Sequence, residues 1–265
     1  MEITTRAPSA ERWGPLWGAR AEDWAATEEQ QHPTYEEAIR RVGIEPGEAV
    51  LEVGCGSGVF LALAREHGAR VHGLDASEAL VEIARRRVPD AEVRVGAMES
   101  LPWEDERFDL VAGFNAFFFA DDMVAALREA RRVARRGAAV VVQVWGRPER
   151  CALDAMKHAV ASFLPPPDPK ARRGSELWAA GVLEEVASEA GLAPASAFDH
   201  SWAYEYADDR ALLRGLLAAG GLAVVAERTG RGLVEQAILD GLRPYRTPAG
   251  GYRLENEWHY LVATA

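Results

Sequence analysis

Val50-Leu51-Glu52-Val53-Gly54-Cys55-Gly56-Ser57-Gly58-Val59-Phe60 decides the reading of this chain. An apolar run carrying an acid reads as a buried parallel strand. Glycines then recur at every second position, and a helical pattern follows. Glycine has no Cβ, so the backbone can turn sharply and lie directly against a ligand. The first N–H groups of the following helix point at the same spot. The stretch is therefore a small-ligand site at the end of a first strand. The dinucleotide fingerprint requires G-x-G-x-x-G. Here the spacing is G-x-G-x-G, and Val59 stands where the third dinucleotide glycine would fall.

Further features follow in order along the chain. Arg70-Val71-His72-Gly73-Leu74-Asp75 reads as a second strand ending in an acid. Asp75 lies about twenty residues past the glycines, the spacing at which a carboxylate accepts ribose hydroxyls. Val93 to Trp103 reads as a third strand and its loop. Phe108-Asp109-Leu110-Val111 reads as a fourth strand. Ala125 to Glu129, Arg135-Arg136-Gly137 and Val140-Val141-Val142 read as a helix, a glycine turn and a fifth strand. This ordered set, over roughly residues 45–148, resembles the class I S-adenosylmethionine-dependent methyltransferases, and among them the bacterial small-molecule enzymes.

The resemblance implies an α/β fold: a seven-stranded Rossmann-like sheet, mostly parallel with an antiparallel last strand, and helices on both faces. To this it adds an N-terminal helical lid and an insertion after the fifth strand. The expected divisions are a lid over 1–47, a cofactor-binding core over 48–148, a helical, proline-rich substrate-side insertion over 149–195, and completion of the sheet over 196–265. The implied cofactor is S-adenosyl-L-methionine. Gly54, Cys55 and Gly56 would line its methionine part, with Glu52 orienting the loop or the methionyl ammonium. Asp75 would hold the ribose and Ala76 would touch the adenine. Phe114 and Asn115 would lie beside the methionyl group. Many relatives carry Asp-Ala after the glycine of the third-strand loop. Here Ala97 and Met98 stand there, so adenine would rest on backbone and apolar contact, with Glu99 as an alternative partner for its amino group.

The acceptor side is less determined. Phe117, Phe118 and Phe119 stand where the family places residues facing the methyl group, one expected to line an acceptor pocket and another to pack in the core, and Trp145, ending the fifth strand, is also well placed. Trp13, Trp17 and Trp24 crowd a short N-terminal span. Three tryptophans must pack somewhere, either as a lid over cofactor and substrate or on the sheet edge. An aromatic wall suggests an apolar or aromatic acceptor. Candidate bases are His32, His158, His200, Tyr204 and Glu205. His200 is the best positioned by sequence, although a lone histidine on a strand is also an ordinary structural residue. Methyl transfer requires a base only when the nucleophile must lose a proton.

Bulk properties bound the alternatives. The chain has 265 residues and a formal charge of −11, from 41 acids against 30 bases. That balance opposes general nucleic-acid affinity, which depends on neutralising phosphates. Arg85-Arg86-Arg87 and Arg131, Arg132, Arg135 and Arg136 form two basic clusters that suit helix ends. The two cysteines, Cys55 and Cys151, fit a reducing compartment and give no disulfide framework. No signal peptide, membrane-length apolar run or metal-ligand spacing is visible. The expected setting is cytoplasmic, with a small-molecule substrate, no nucleic acid, no membrane, no metal, and a monomer or homodimer. The competing readings are an RNA or protein methyltransferase, a non-catalytic partner of the same fold, and a nicotinamide oxidoreductase, which the glycine spacing opposes.

Local patterns set the remaining expectations. Thr34 and Glu37 suggest a capping box, Ser77 an N-cap, and Gly137 a helix C′ position. Strands are expected near 49–53, 70–74, 92–95, 108–114, 138–145 and 196–206, with a last strand at the C-terminus. Helices are expected near 57–67, 77–87, 122–135, 150–163, 208–226 and 230–241. Pro165-Pro166-Pro167-Asp168-Pro169 suggests a stiff extended segment.

Overall fold

Alternating apolar strands and amphipathic helices build a doubly wound sheet in the computed structural model, which describes residues 9–164 and 176–265. Helices α1 (Ser9–Gly18), α2 (Ala21–Glu28) and α3 (His32–Val42) precede the sheet. Strand β1 (Ala49–Val53) leads into α4 (Val59–Glu66), β2 (Arg70–Asp75), α5 (Glu78–Arg87), β3 (Glu92–Val95) and β4 (Phe108–Phe114). Helix α6 (Met123–Val133) then joins β5 (Ala134–Trp145). Helices α7 (Ala152–Val160) and α8 (Val182–Glu189), strand β6 (Ala193–Tyr206), α9 (Asp209–Leu216), α10 (Leu222–Thr229), α11 (Arg231–Leu242) and β7 (Tyr252–Thr264) complete the chain. The proline-rich run 165–169 lies outside the described residues.

The strand order is β3-β2-β1-β4-β5-β7-β6. Strands β1 to β5 are parallel, and β7 runs antiparallel between β5 and β6. The sheet is the seven-stranded one expected, with its antiparallel strand at the end of the chain. Successive residues of β1 feed opposite faces: Val50 joins the core under α3 and α4, and Leu51 the core under α6 and α8. The order reverses between β1 and β4, and in such sheets the crevice beyond the strand ends at that point accepts ligands.

Several local expectations needed correction. Thr34 forms no capping box, because α3 begins earlier, at His32. The Thr34 hydroxyl instead donates to the Gln31 carbonyl, and Glu37 pairs with Arg40 and Arg41. Gly137 is not a helix terminator: α6 stops at Val133, and β5 begins at once. Gly137 lies in an irregularity of the β4–β5 pairing, at φ 79°, with its N–H donated to the Ala265 carbonyl. The helix expected over 208–226 is two helices, broken at Gly220-Gly221, where both φ values are positive. Ser77 does cap α5, its Oγ accepting the Leu80 N–H at 3.3 Å.

Most of the clustered arginines pair with acids, and Arg85 donates to the Val93 carbonyl. Arg86 and Arg87 bind Glu22 and Glu29, which ties α5 to the N-terminal helices. Arg132 holds Glu129 and Asp105, Arg135 holds Asp109, and Arg136 holds Glu106. Among the described residues no helix is long and apolar enough to cross a membrane, and no cluster of His, Cys, Asp and Glu could hold a metal.

Candidate active site

The glycine turn is held from below and bounded closely from above. Gly54, Gly56 and Gly58 all have positive φ, at 76°, 52° and 81°. The N–H groups of Gly54 and Cys55 both donate to the Leu74 carbonyl, locking the turn to the end of β2. A Cβ on Gly54 would lie 2.5 Å from the Ala116 Cβ, and one on Gly56 would lie 2.7 Å from Glu28 Oε2. Gly54 has no room for a side chain, and one at Gly56 would have to push the Glu28 carboxylate aside. Gly58 serves packing, since a Cβ there would press on Ala84 of α5 at 3.0 Å.

Three carboxylates surround this turn. Asp75 is buried, with Oδ2 accepting the Gly56 N–H at 2.9 Å and Oδ1 the Ser77 N–H at 2.8 Å. Burial raises its pKa, and the N–H groups of Ser77, Gly56 and Ala76 pull it back. Glu52 is 1% exposed, and its Oε2 has no hydrogen-bond partner. Burial, Glu28 and Asp75 together push its pKa well above the ordinary carboxylate range. Glu28 is 2% exposed and accepts the Ser57 N–H at 2.8 Å. Burial outweighs that bond and pushes its pKa up to about 7.

A cavity of about 530 Å³ opens from the turn toward the N-terminal helices and the α9–α10 corner. That lies within the range of small-ligand pockets. Gly54, Gly56, Asp75, Ala76, Ala97 and Met98 line one end. Phe114 and Asn115 lie beside them. Asn115 has φ 50°, a left-handed conformation that Asn tolerates better than most residues, and its buried Oδ1 has no partner. Aromatic and aliphatic groups wall much of the rest, among them Trp17, Trp24, Phe118, Phe119 and Trp145, with Trp17 and Trp24 packed on the start of α5. Trp17 meets Trp24 and Phe119 edge-on at centroid distances of 4.6 and 5.7 Å. Trp145 stacks on the fully buried Trp258.

The structure separates other residues from this cavity. Cys55 turns its sulfur away, toward Gly73 in the sheet. Glu99 is engaged elsewhere, accepting the Ser9 hydroxyl at 2.7 Å and the Asp121 N–H at 2.9 Å. It fastens α1 to the loop before α6. His200 does not line the cavity. It faces Glu37, Arg40 and Arg41 of α3, and burial lowers its pKa. His32 pairs with Glu36, His158 with Asp154, and Glu205 with Arg253, all away from the cavity. Of the candidate bases only Tyr204 lines it, and burial holds its hydroxyl protonated. Glu28, Gln31, Tyr35, Tyr206 and Lys157 also line the cavity and were not identified from sequence.

Comparison with known proteins agrees with this geometry. Residues 51–142 match the family described as "Methyltransferase domain". Over 96 residues the chain is 34% identical to malonyl-[acyl-carrier protein] O-methyltransferase of Serratia marcescens, covering 36% of this chain and 38% of that protein. Over 145 residues it is 29% identical to the dTDP-4-amino-2,3,4,6-tetradeoxy-D-glucose N,N-dimethyltransferase of Saccharopolyspora spinosa, covering 53% and 56%. The chain spans between 31% and 61% of the length of the curated relatives it matches first. The YcgJ protein of Bacillus subtilis shares the fold, with a TM-score of 0.56 at 20% identity over 88% of this chain and 98% of that one.

Proposed function

We propose, from the domain of the class I S-adenosyl-L-methionine-dependent methyltransferase family that this chain carries, that the protein moves a methyl group to O, N or C of a small, apolar or aromatic acceptor. The observation that carries this reading is the continuity of the cavity. The same space offers carboxylates, a bare backbone and aromatic walls.

The residues present suit this cofactor. Asp75 has two carboxylate oxygens with lone pairs left after Gly56 and Ser77 are served, enough for a pair of ribose hydroxyls. The orphaned Asn115 Oδ1 is an acceptor for an ammonium. The buried carboxylates call for a positively charged ligand, and among the described lining residues Lys157 is the one cation. When bound, the cofactor supplies an electrophilic methyl on a neutral leaving group. The chain's own part is alignment and exclusion of water. Trp17, Trp24 and Phe119 close the cavity against solvent, and Met98 packs on the adenine side. No oxyanion hole is needed, because no anion develops on the leaving sulfur.

The N-terminal helices act in this reading as a lid seated on the adenine side. A Cβ on Gly14 would lie 2.3 Å from the Ala76 carbonyl oxygen, so α1 rests directly on that backbone. Gly14→Val is expected to displace α1 and weaken cofactor binding about tenfold, while the far-UV spectrum stays unchanged. Unaltered affinity in that variant would contradict the lid assignment. The acceptor class is tested by incubating the protein with methyl-labelled cofactor and a cell extract split into small molecules, RNA and protein. Label should enter the small-molecule fraction. Label confined to RNA or protein would overturn that part of the reading.

A further inference from the structure

We propose that Glu28, brought over the glycine turn by α2, makes the cavity select a ligand with a net positive charge over the uncharged thioether that remains once the methyl has left. This inference rests on the cofactor reading above. It concerns a residue outside the matched region 51–142, supplied by the N-terminal helices.

The argument begins with position. Glu28 lies against Gly56 and accepts the Ser57 N–H at 2.8 Å. It lines the cavity beside the glycine turn. The groups facing it come from five elements. Asp75 of β2 and Glu52 of β1 are acids, and the latter is 1% exposed with an oxygen that no group satisfies. Tyr35 of α3 and Tyr204 of β6 are held neutral by burial. Arg87 of α5 is the cation that acts on Glu28, and it donates its hydrogen bond to Glu29 instead. Glu28 therefore has no cation bonded to it, and acids outnumber the one arginine that acts on it.

Charge arithmetic follows. The methyl donor carries a sulfonium, an ammonium and a carboxylate, a net single positive charge. Methyl transfer leaves the electron pair of the broken S–C bond on sulfur, and the product is a zwitterion of net zero charge. A positive ligand stabilises the ionised form of Glu28. The product keeps the same ammonium and carboxylate but lacks the sulfonium, so it stabilises that form less, and Glu28 then takes a proton from solvent more readily. An opposite charge within about 4–6 Å shifts a carboxyl pKa by roughly 1–3 units, so it separates the two protonation states at least about tenfold. Glu28 thereby favours loading of donor over retention of product.

The test is titration calorimetry at pH 6.5 in buffers of different ionisation enthalpy. Free Glu28, with its pKa pushed up to about 7, is roughly three-quarters protonated there. Binding of S-adenosylmethionine should release about half a proton more than binding of S-adenosylhomocysteine. E28Q should erase that difference and shift the donor-to-product affinity ratio about threefold or more toward product. Equal proton release in the wild type, or an unchanged ratio in E28Q, would overturn the inference and leave the cofactor reading standing. Should E28Q fail to fold, the wild-type proton count decides alone. Failure of both ligands to bind the wild type would instead remove the cofactor reading beneath it.

Discussion

Asp75→Ala is expected to weaken S-adenosylmethionine binding by at least about 100-fold. The carboxylate has two tasks in the structure. It ties the N–H groups of Gly56 and Ser77, which fixes the turn relative to β2. Its remaining lone pairs are those assigned to the ribose. Hydrogen bonds to a charged group contribute roughly 1.5–3 kcal/mol each, so losing two to the sugar removes about 3–6 kcal/mol. At about 1.4 kcal/mol per factor of ten, that exceeds 100-fold. The loop amides lose their partner as well, which adds to the loss. A thermal-shift series shows the effect directly: saturating ligand raises the melting temperature of the wild type and leaves that of Asp75→Ala unchanged. Asp75→Asn, which keeps one acceptor oxygen, should fall between them. Retention of affinity within tenfold in the alanine variant would mean that the sugar binds elsewhere.

The ligand-free protein is expected to lose stability as pH rises from about 5 to 7. Glu28 drives this. Its pKa is pushed up to about 7 in the folded chain, against the ordinary 4.5. Below pH 4.5 the group is protonated in both states and imposes no penalty. Between 4.5 and 7 the unfolded chain ionises while the folded one holds its proton, so stability falls. Above 7 both are ionised and the penalty is complete, on the order of 3 kcal/mol. Glu52 and Asp75, also raised by burial, act in the same direction. Glu37, held at about 2 by Arg40 and Arg41, acts oppositely below about pH 4.5, and His72 and His200, lowered by burial, oppose the three acids up to their ordinary 6.5 without outweighing them. Denaturant melts between pH 5 and 8 read the slope. E28Q retains an acceptor for the Ser57 N–H and should make that slope shallower by Glu28's share, becoming the more stable form at pH 8. A wild-type stability that is flat or rising over this interval would contradict the account.

Legibility in the sequence followed the range of the contacts. The glycine turn, Asp75 and the alternation of strand and helix are local patterns that imply a parallel sheet, and the antiparallel last strand came from the family resemblance they carry. Asn115 and Phe114 were legible because they end a strand whose register is fixed by its neighbours. Glu28 was not. It sits in the run Glu28-Glu29-Gln30-Gln31, which reads as a solvated face, and its burial depends on Gly56 and Ser57, far along the chain. The α9–α10 corner entered the cavity only through folding, because its helices carry ordinary amphipathic patterns. His200 failed for a reason of position. It shares a face of β6 with Tyr204 and Tyr206, which do line the cavity, but lies about 13 Å further from it at the usual rise of a strand. There α3 covers the sheet. Gly137 and Thr34 show the same limit at element ends, where tertiary pairing overrode a local terminator and a local cap.

Calorimetric titration of the unmodified protein with S-adenosylmethionine, S-adenosylhomocysteine and NAD tests the assignment of the cavity most directly. Micromolar binding of the first two and none of NAD is the predicted result. Binding of NAD with no heat from either sulfur ligand would contradict it.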